Sequence, residues 1–148
     1  MAVVVLNAVT RKSSGKLAVE AESRNFKVIM DESQDEGGNN NGMNPMEIML
    51  CGLGGCQSIM AHAFAKEKGI DLQDFWVELQ GDMDTDGFKG ITNVKPGFLE
   101  IRCKILIKSS SPCDKLKSLV DYIQYRSPVQ DTISNYIKIV LTDLIIEK

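Results

Sequence analysis

The four cysteines, at positions 51, 56, 103 and 113, are the side chains of this sequence best suited to redox chemistry. No two of them have CxxC spacing, and a chain of 148 residues with four cysteines is not cysteine-dense. A disulfide framework or a zinc site is therefore not expected, and the thiols should be reduced. Since a thiolate is a nucleophile that peroxides oxidise, the question is which cysteine is reactive.

Cys56 follows two glycines in the middle of a predicted helix. Two adjacent glycines there cost about 1 kcal/mol each relative to alanine, so another feature must compensate. Close approach of another helix, or access for a small ligand to the helix face, would do so. The alternative is a core cysteine in a tightly packed helix pair, because free cysteine is among the most buried residue types. The local sequence leaves both interpretations open.

The other three cysteines are predicted to be structural or incidental. Cys51 lies five residues before Cys56, which puts the two Cα atoms roughly 8–9 Å apart on a helix, beyond the ~7 Å limit for a disulfide. We therefore expect Cys51 to fill the core. Cys103 lies on the apolar face of a predicted strand and is also expected in the core. Cys113 begins a predicted helix and is expected to be exposed.

Peroxide reduction needs a thiolate and a donor that stabilises charge on the leaving oxygen, for which an arginine is the expected partner. The arginines are Arg11, Arg24, Arg102 and Arg126. A carboxylate that holds the guanidinium would complete the site, and Glu47 lies nine residues before Cys56 in the first turn of the same helix. Glu47 is also a favourable charge at a helix start, and the two roles are compatible.

Two other candidates are weaker. His62 is six residues after Cys56, about 240° around the helix, so it cannot act as a base for Cys56 within that helix, and a packed or interfacial histidine is expected. Asp82, Asp84 and Asp86 resemble the start of a calcium-binding loop, but Asn93 stands where that loop needs a glutamate. We therefore predict a solvated hairpin and no metal site.

Composition indicates one soluble globular domain, with 43% hydrophobic and 25% charged residues. A net charge of −3 gives no reason to expect nucleic acid as a partner. No stretch is expected to approach the ~20 apolar residues of a membrane span, so no membrane partner is expected. The first twelve residues lack the features of a signal peptide, which favours a cytoplasmic location.

The elements that must position Cys56 can be read from periodicity and turn residues. Residues 1–31 are predicted to be an N-terminal β-meander, and the Gly/Asn-rich residues 32–43 a loop. A central helix over 44–69 is predicted to begin with Asn44 as N-cap and Pro45 at its first position, and to stop at Gly69. Because that helix is apolar on nearly every side, it is predicted to be buried all round.

The remaining chain, residues 73–148, is predicted to be a ββαβ part. Its expected elements are strands at 73–83 and 98–108, a helix at 112–126, a short helical turn at 129–135 and a final strand at 136–146. The order βββ-α-ββ-α-β indicates an α+β fold in a single domain covering residues 1–148.

Two segments resemble the motifs of the OsmC/Ohr family. Asn44-Pro45-Met46-Glu47-Ile48-Met49-Leu50, followed by Gly54-Gly55-Cys56, resembles its NP-x-E-LLL-AALAGC signature. Arg126-Ser127-Pro128-Val129-Gln130-Asp131-Thr132 resembles its second motif, RCPVxxT. The element order agrees from residue 3 to the end, and the position of Glu47 matches the OsmC-like branch better than the Ohr branch.

The resemblance implies an intertwined homodimer in which antiparallel sheets wrap two long buried helices, with active sites at the subunit interface. It implies reduction of organic hydroperoxides by Cys56, assisted by Glu47 and an N-terminal arginine, of which Arg24 is favoured over Arg11. In the family, the second-motif cysteine resolves the sulfenic acid as a disulfide, and external thiols then reduce it. No cofactor beyond the thiol reductant is implied.

This sequence departs from the family pattern at Ser127, which stands where the resolving cysteine belongs. Because serine cannot form a disulfide, the chain is predicted to be a thiol-dependent peroxidase with one working cysteine, Cys56, reduced by an external thiol. Ser127 could then donate a hydrogen bond to the thiolate or sulfenate. The alternative is a noncatalytic member that binds a small hydrophobic ligand or acts as a single-thiol redox sensor.

Overall fold

The computed structural model describes residues 2–146, which divide into two compact units at the boundary between Cys51 and Gly52. The elements are β1 (Val9–Lys12), β2 (Val19–Ser23), β3 (Phe26–Met30), α1 (Pro45–Ala65), β4 (Leu72–Met83), α2 (Thr85–Phe88), β5 (Phe98–Ser109), α3 (Cys113–Arg126) and α4 (Pro128–Ser134). Antiparallel strands combined with helices confirm the predicted α+β class.

The N-terminal unit contains a three-stranded antiparallel sheet in the order β1-β2-β3, which confirms the predicted meander. The first strand is shorter than predicted, because pairing begins only where Val9 lies opposite Glu22, next to the end of β2. Residues 3–6, predicted as strand, are unpaired and exposed. The chain reverses between β2 and β3 through Arg24, whose φ is +58°.

The loop after β3 is organised by the buried carboxylate of Asp31. This carboxylate accepts hydrogen bonds from the backbone N–H groups of Glu32, Asn39 and Asn41 at 2.9, 3.1 and 3.2 Å. Burial opposes ionisation of Asp31, but the three donors outweigh it, so the pKa of Asp31 lies below its usual value. The predicted loop over 32–43 is thus held to β3 by one side chain.

Helix α1 begins where the sequence predicts. The Glu47 N–H donates to Asn44 Oδ1 at 2.9 Å, and the Asn44 N–H donates to Glu47 Oε2 at 2.8 Å. These two reciprocal bonds satisfy backbone donors that would otherwise lack a partner at the helix start. At the other end, Gly69 adopts φ +62° and the Ile70 N–H bonds back to the Ala65 carbonyl at 2.9 Å. The predicted Gly69 stop is confirmed.

The expectation that α1 is buried on all sides is wrong for the single chain. Only Leu53, Gln57, Ala61 and Ala65 are buried, and Ile59 is among the exposed residues. One sheet and one helix can cover only one side of a cylinder, so the other side of α1 stays open. By length and composition alone α1 could also cross a membrane, which overturns the expectation that no stretch approaches a span. The core helix of a globular protein passes the same test.

The C-terminal unit packs α1 and α3 against a long antiparallel pair of strands. Strands β4 and β5 pair from Leu72↔Ser109 to Met83↔Phe98, as the sequence predicts. Its core consists of Ala61, Ala65, Ile70, Phe75, Leu119 and Ile123. Helix α3 is also confirmed, and α4 is a full short helix where a helical turn was expected.

The acidic segment between β4 and β5 is a capped turn. Asp84 begins α2 by accepting hydrogen bonds from the N–H groups of Asp86 and Gly87, and Asp82 is held by Arg102. The carboxylates of Asp84 and Asp82 thus have partners within the protein. Residues 2–146 contain no group of three or more His, Cys, Asp or Glu side chains placed to hold a metal ion.

The predicted C-terminal strand at 136–146 is wrong for the single chain. These residues have no strand pairing in the structure. They include seven exposed large hydrophobic side chains besides Tyr136, which are Ile137, Ile139, Val140, Leu141, Leu144, Ile145 and Ile146. A β-strand needs a neighbouring strand for its backbone hydrogen bonds, and β4 and β5 pair only with each other. The segment is apolar, as the sequence indicates, but no strand among residues 2–146 pairs with it.

Candidate functional site

The structure brings Cys56 and Ser127 together although they are 71 positions apart in the sequence. The Ser127 hydroxyl donates a hydrogen bond to Cys56 Sγ at 3.3 Å. Cys56 is half-buried in α1, whereas Ser127 is 0% exposed. A buried hydroxyl donor directed at a sulfur is arranged to stabilise negative charge on that sulfur.

Ser127 is fixed because it lies at the junction of two helices. Its N–H donates to the Ile123 carbonyl at the end of α3, and its carbonyl accepts from the Asp131 N–H in α4, both at 2.9 Å. Its Oγ also accepts a hydrogen bond from the Gln130 N–H at 3.2 Å and so caps α4. The serine at the second-motif position therefore ends one helix, begins the next and contacts the cysteine.

Two hydrogen-bonded glutamine side chains, which were not predicted from the sequence as part of the site, adjoin Cys56 and Ser127. Gln57, next to Cys56, is only 1% exposed, and its Nε2 donates to Gln130 Oε1 at 3.0 Å. Its Oε1 accepts from Cys103 Sγ at 3.4 Å. The available signal was a lone amide at a core-facing position of an otherwise apolar helix, since burying an amide is costly unless both of its ends are bonded.

The structure corrects the assignment of two of the other cysteines. Cys51 was predicted to fill the core but is exposed, and its thiol contacts Met43 Sδ at 3.7 Å. Cys103 was also expected in the core; its residue is exposed along β5, although its thiol faces Gln57. Burial raises the pKa of the Cys103 thiol against the opposing effect of the Gln57 hydrogen bond, so Cys103 is a poor nucleophile.

Cys113 is exposed at the first residue of α3, as predicted. All four cysteines are free thiols, so Cys56 has no disulfide partner in this structure.

The two glycines before Cys56 have different surroundings. A Cβ on Gly54 would lie 3.0 Å from Leu79 Cδ1, so this glycine lets α1 approach strand β4 closely. A Cβ on Gly55 would meet nothing within 4 Å. Close packing was expected against a helix, and at Gly54 the structure shows a strand instead. Gly55 leaves open space on the helix face next to Cys56. Access for a small ligand to the helix face was the second explanation offered for the two glycines, and the open space at Gly55 fits it.

No arginine of the C-terminal unit is free to serve Cys56. Arg102 binds both carboxylate oxygens of Asp82 and also Glu100. The Arg126 guanidinium lies 5.2 Å from the ring centroid of Tyr125. Arg126 is next to Ser127 in sequence, but no hydrogen bond or ion pair joins an arginine to Cys56 among residues 2–146.

Arg11 and Arg24, the two predicted candidates, lie together in the N-terminal unit. They line one open cavity of about 370 Å³ with Glu20 and Glu22. Lys27 pairs with Glu20 at 2.8 Å and with Glu22 at 3.7 Å. Arg24 stacks over Phe26 at 5.0 Å, and its positive φ is a conformation rare for a residue with a side chain.

Glu47, the predicted carboxylate, lies in the first turn of α1. Only Oε2 is engaged in the capping bonds, and among residues 2–146 no hydrogen bond to Oε1 is present. Glu47 can therefore cap the helix and still accept from a guanidinium. His62 is exposed, with Nδ1 2.8 Å from the Ser58 carbonyl, so it is turned toward its own helix.

The fold and site together define a class of protein: an α+β chain whose central helix presents a half-buried cysteine to a buried hydroxyl at a helix junction. Residues 37–142 match the family described as OsmC-like protein. The match covers both motifs and more than half of the chain. The chain belongs to the OsmC-like family, as the two motifs predict.

Individual relatives agree with this assignment. The chain is 27% identical over 116 residues, 78% of each chain, to a protein of Mycoplasma genitalium named hydroperoxide reductase. It superposes on an OsmC-like protein of Mycoplasma pneumoniae with a TM-score of 0.70 and 23% identity, covering 88% of this chain and 86% of the other. A Legionella pneumophila protein described as organic hydroperoxide resistance protein OsmC gives a TM-score of 0.66 at 17% identity, covering 90% and 91%. These two structures share the fold.

Proposed function

We propose that this protein is a thiol-dependent peroxidase that reduces organic hydroperoxides, with Cys56 as its nucleophile. The observation that carries the proposal is the buried Ser127 hydroxyl donating to Cys56 Sγ at 3.3 Å between the two family motifs. The donor is directed at the sulfur atom that would attack a peroxide, and it can hydrogen-bond to that sulfur as the reaction proceeds. The relative named hydroperoxide reductase supports the same chemistry.

In the first step, the Cys56 thiolate attacks the distal oxygen of the hydroperoxide and the O–O bond breaks. The sulfur becomes a sulfenic acid, and the alkoxide leaves as an alcohol after taking a proton. A cationic donor near the leaving oxygen lowers the barrier to this step, because negative charge moves onto that oxygen in the transition state. Arg24 is our first candidate for this donor, with Arg11 as the alternative.

Glu47 would orient that arginine. Its free Oε1 can accept one N–H of a guanidinium while Oε2 remains on the helix start. Arg24 remains the first candidate from the sequence, and its left-handed backbone is accounted for by the two-residue turn between β2 and β3. Carboxylate and arginine would then act as one unit on the peroxide.

Regeneration must use an external thiol, since Ser127 cannot form a disulfide. The sulfenic acid reacts with one thiol molecule to give a mixed disulfide and water. A second thiol molecule releases Cys56 as the free thiol and leaves with the first as a disulfide. The open space at Gly55, beside Cys56, is consistent with access for such a reductant.

We further propose that the protein works as a homodimer in the cytoplasm. The open side of α1, the exposed residues 3–6 and the unpaired residues 136–146 are apolar surfaces that a single chain leaves in water. A second copy would cover them, since large exposed apolar patches mark interaction sites. Four free thiols suit a reducing compartment.

The replacement of the resolving cysteine by Ser127 favours a second candidate function. A member without turnover would use Cys56 as a single-thiol redox sensor, or would bind a small hydrophobic ligand beside it. Sensor and enzyme share the oxidation step but differ in whether the oxidised thiol is returned to the reduced state many times.

The first test is sulfenic acid trapping at Cys56. Reduced protein is mixed with cumene hydroperoxide and a dimedone-type reagent, and the labelled residue is located by mass spectrometry. Wild type should be labelled at Cys56, and Cys56→Ala should not. Cys113→Ala, which removes an exposed thiol at the start of α3, should be labelled at Cys56 like wild type. Equal labelling of wild type and Cys56→Ala would contradict the proposal.

The second test separates enzyme from sensor. Consumption of cumene hydroperoxide is followed with an excess of dithiothreitol, glutathione or a dihydrolipoyl thiol. The peroxidase proposal predicts many turnovers per Cys56 with at least one of these thiols. A single equivalent of peroxide consumed with every reductant would support the sensor.

A further inference from the structure

Gln57 carries the one side-chain amide of helix α1. This amide is buried, and both its nitrogen and its oxygen form hydrogen bonds. The only buried polar residues among residues 2–146 are Asp31, Gln57 and Ser127. A leucine could fill similar space without the cost of removing an amide from water. The hydrogen bonds of this amide therefore explain its presence in the core better than its volume does.

Its contacts fix the direction of the amide. The Cys103 thiol donates, so the oxygen of Gln57 faces Cys103 at 3.4 Å. The nitrogen then faces Gln130 Oε1 at 3.0 Å. Gln57 thus connects α1, strand β5 and the first turn of α4, and it does so from the position directly after the reactive cysteine.

Gln130 is also the residue that directs the Ser127 hydroxyl. Its backbone N–H donates to Ser127 Oγ at 3.2 Å, which occupies one acceptor position on that oxygen. The hydroxyl hydrogen is then free to point at Cys56 Sγ, 3.3 Å away. The side chain of Gln130 is tied to α1, and its backbone orients the donor that faces the sulfur.

We propose that Gln57 is a positioning residue: through Gln130 it ties the start of α4 to α1 and so keeps the Ser127 hydroxyl directed at the Cys56 sulfur. The proposal rests on the proposed function of Cys56 and adds to it how the donor is held. A hydroxyl···sulfur contact is a weak bond, so it needs a neighbouring bond between the same two helices to keep its geometry. The Gln57–Gln130 bond supplies this second link.

The test uses alkylation of Cys56, which reports thiolate formation without any peroxide. Iodoacetamide labelling of the full-length protein is followed by peptide-resolved mass spectrometry from pH 6 to pH 10. For Gln57→Leu we expect the Cys56 rate at pH 7 to fall by about three- to tenfold, the scale of losing one ordinary hydrogen bond. The rate at pH 10, where the thiol ionises without assistance, should stay close to wild type. Ser127→Ala should show the same pattern.

The control variants separate positioning from a general loss of stability. Gln124→Leu makes the same substitution at an exposed site of α3 and should leave the profile unchanged. Leu119→Ala removes a core side chain outside the network and should lower the melting temperature without changing the pH profile of Cys56. If Gln57→Leu fails to fold, Gln130→Leu, which is only half-buried, should give the same alkylation profile.

The double variant Gln57→Leu/Gln130→Leu should lose no more than the larger single effect, because both residues act through one bond. An unchanged alkylation profile in Gln57→Leu and Gln130→Leu would overturn the proposal. If sulfenic acid trapping fails while these profiles still shift, the peroxidase function is wrong and the positioning role stands. If trapping succeeds and the profiles are unchanged, only the positioning role is wrong.

Discussion

At the scale of single residues, the contact between Ser127 and Cys56 decides what this site can do. In the family pattern a cysteine at position 127 would close a disulfide, whereas here a hydroxyl 3.3 Å from Cys56 Sγ can only donate to it. The substitution thus keeps the geometry of the second motif and removes its redox step. If Cys56 is oxidised as we propose, its sulfenic acid would have to be reduced by an outside thiol.

Ser127→Cys should restore an internal resolving step. A sulfur at this position would face Cys56 within the short range from which a small side-chain rotation reaches the ~2.05 Å of a disulfide bond. One equivalent of cumene hydroperoxide should then remove two thiols per chain, and dimedone-type labelling of Cys56 should fall sharply. Thiol titration and non-reducing peptide mapping measure both. Persistent Cys56 labelling at the wild-type level, with one thiol lost, would contradict this expectation.

The sequence predicts only part of the site around Cys56. The two motifs predicted that positions 56 and 127 matter, because both resemble known family segments. They could not predict Gln57 as a link, since its role depends on Gln130 and Cys103 meeting it in space. Two of the predicted core cysteines are exposed for a similar reason: burial depends on which side of α1 and of the β4–β5 pair is covered, and periodicity does not fix that.

At the scale of elements, variants at the start of α1 can distinguish the capping role of Glu47 from its proposed role in the reaction. Glu47→Gln keeps an acceptor oxygen for the Asn44 N–H but removes the charge that would orient a guanidinium. We expect its melting temperature to stay near that of wild type while the rate of Cys56 oxidation falls by about tenfold, the scale of losing a charge-assisted bond. Stopped-flow oxidation by cumene hydroperoxide and thermal denaturation measure the two effects.

Asn44→Ala is the matched control for this prediction. It removes the Oδ1 acceptor of the cap and should lower the stability by about 1 kcal/mol, with little change in the oxidation rate. If Glu47→Gln behaves like Asn44→Ala, Glu47 is a capping residue and has no part in the reaction.

The loop after β3 should make stability depend on pH through Asp31. Because its pKa is lowered in the folded protein, the carboxylate contributes stability above its unfolded pKa, and that contribution is lost as pH falls through the folded value. Asp31→Asn should therefore lower the melting temperature at pH 7 and flatten its decline between about pH 4 and pH 2. Thermal denaturation across this pH range measures the change in melting temperature, with Asp35→Asn at an exposed position as control. A decline as steep as wild type would contradict the assignment.

The elements themselves were largely predictable because their signals are local. Asn44, Pro45 and Gly69 mark the central helix by capping chemistry, and alternation marks β4 and β5. The strand at 136–146 was predicted from the same alternation and is wrong in the single chain. Alternation shows that a segment suits a β-sheet. The segment forms a strand only where a neighbouring strand pairs with it, and alternation does not identify that neighbour.

At the scale of the whole molecule, the homodimer proposed above would account for the apolar surfaces that one chain leaves exposed. The β4–β5 pair is a two-stranded sheet with no further strand beside it among residues 2–146. The unpaired segment 136–146 has the composition of a missing strand, and α1 has an uncovered apolar side. A second copy could supply what each of these lacks, which is why the homodimer belongs to the proposed function.

The C-terminal segment gives the sharpest test of that assembly. In one chain Ile139 is 95% exposed, so replacing it with aspartate should cost almost nothing. If the segment packs on a second copy, Ile139→Asp together with Leu141→Asp buries charge in an apolar interface and should convert the dimer to monomer. We expect size-exclusion chromatography with light scattering to show a dimer for wild type and a monomer for this variant. The wild-type melting temperature should also rise with protein concentration.

Ile91→Asp is the control for this test, because Ile91 is also exposed but belongs to the connection after α2 and not to the C-terminal segment. It should remain dimeric with a wild-type melting temperature. The peroxidase assay then links assembly to chemistry, since an arginine supplied by a second copy would be lost on dissociation. Monomeric Ile139→Asp/Leu141→Asp should therefore oxidise Cys56 more slowly even where it stays folded. A monomeric wild type would refute the assembly, and a monomeric variant with full activity would show that Cys56 needs nothing from a second chain.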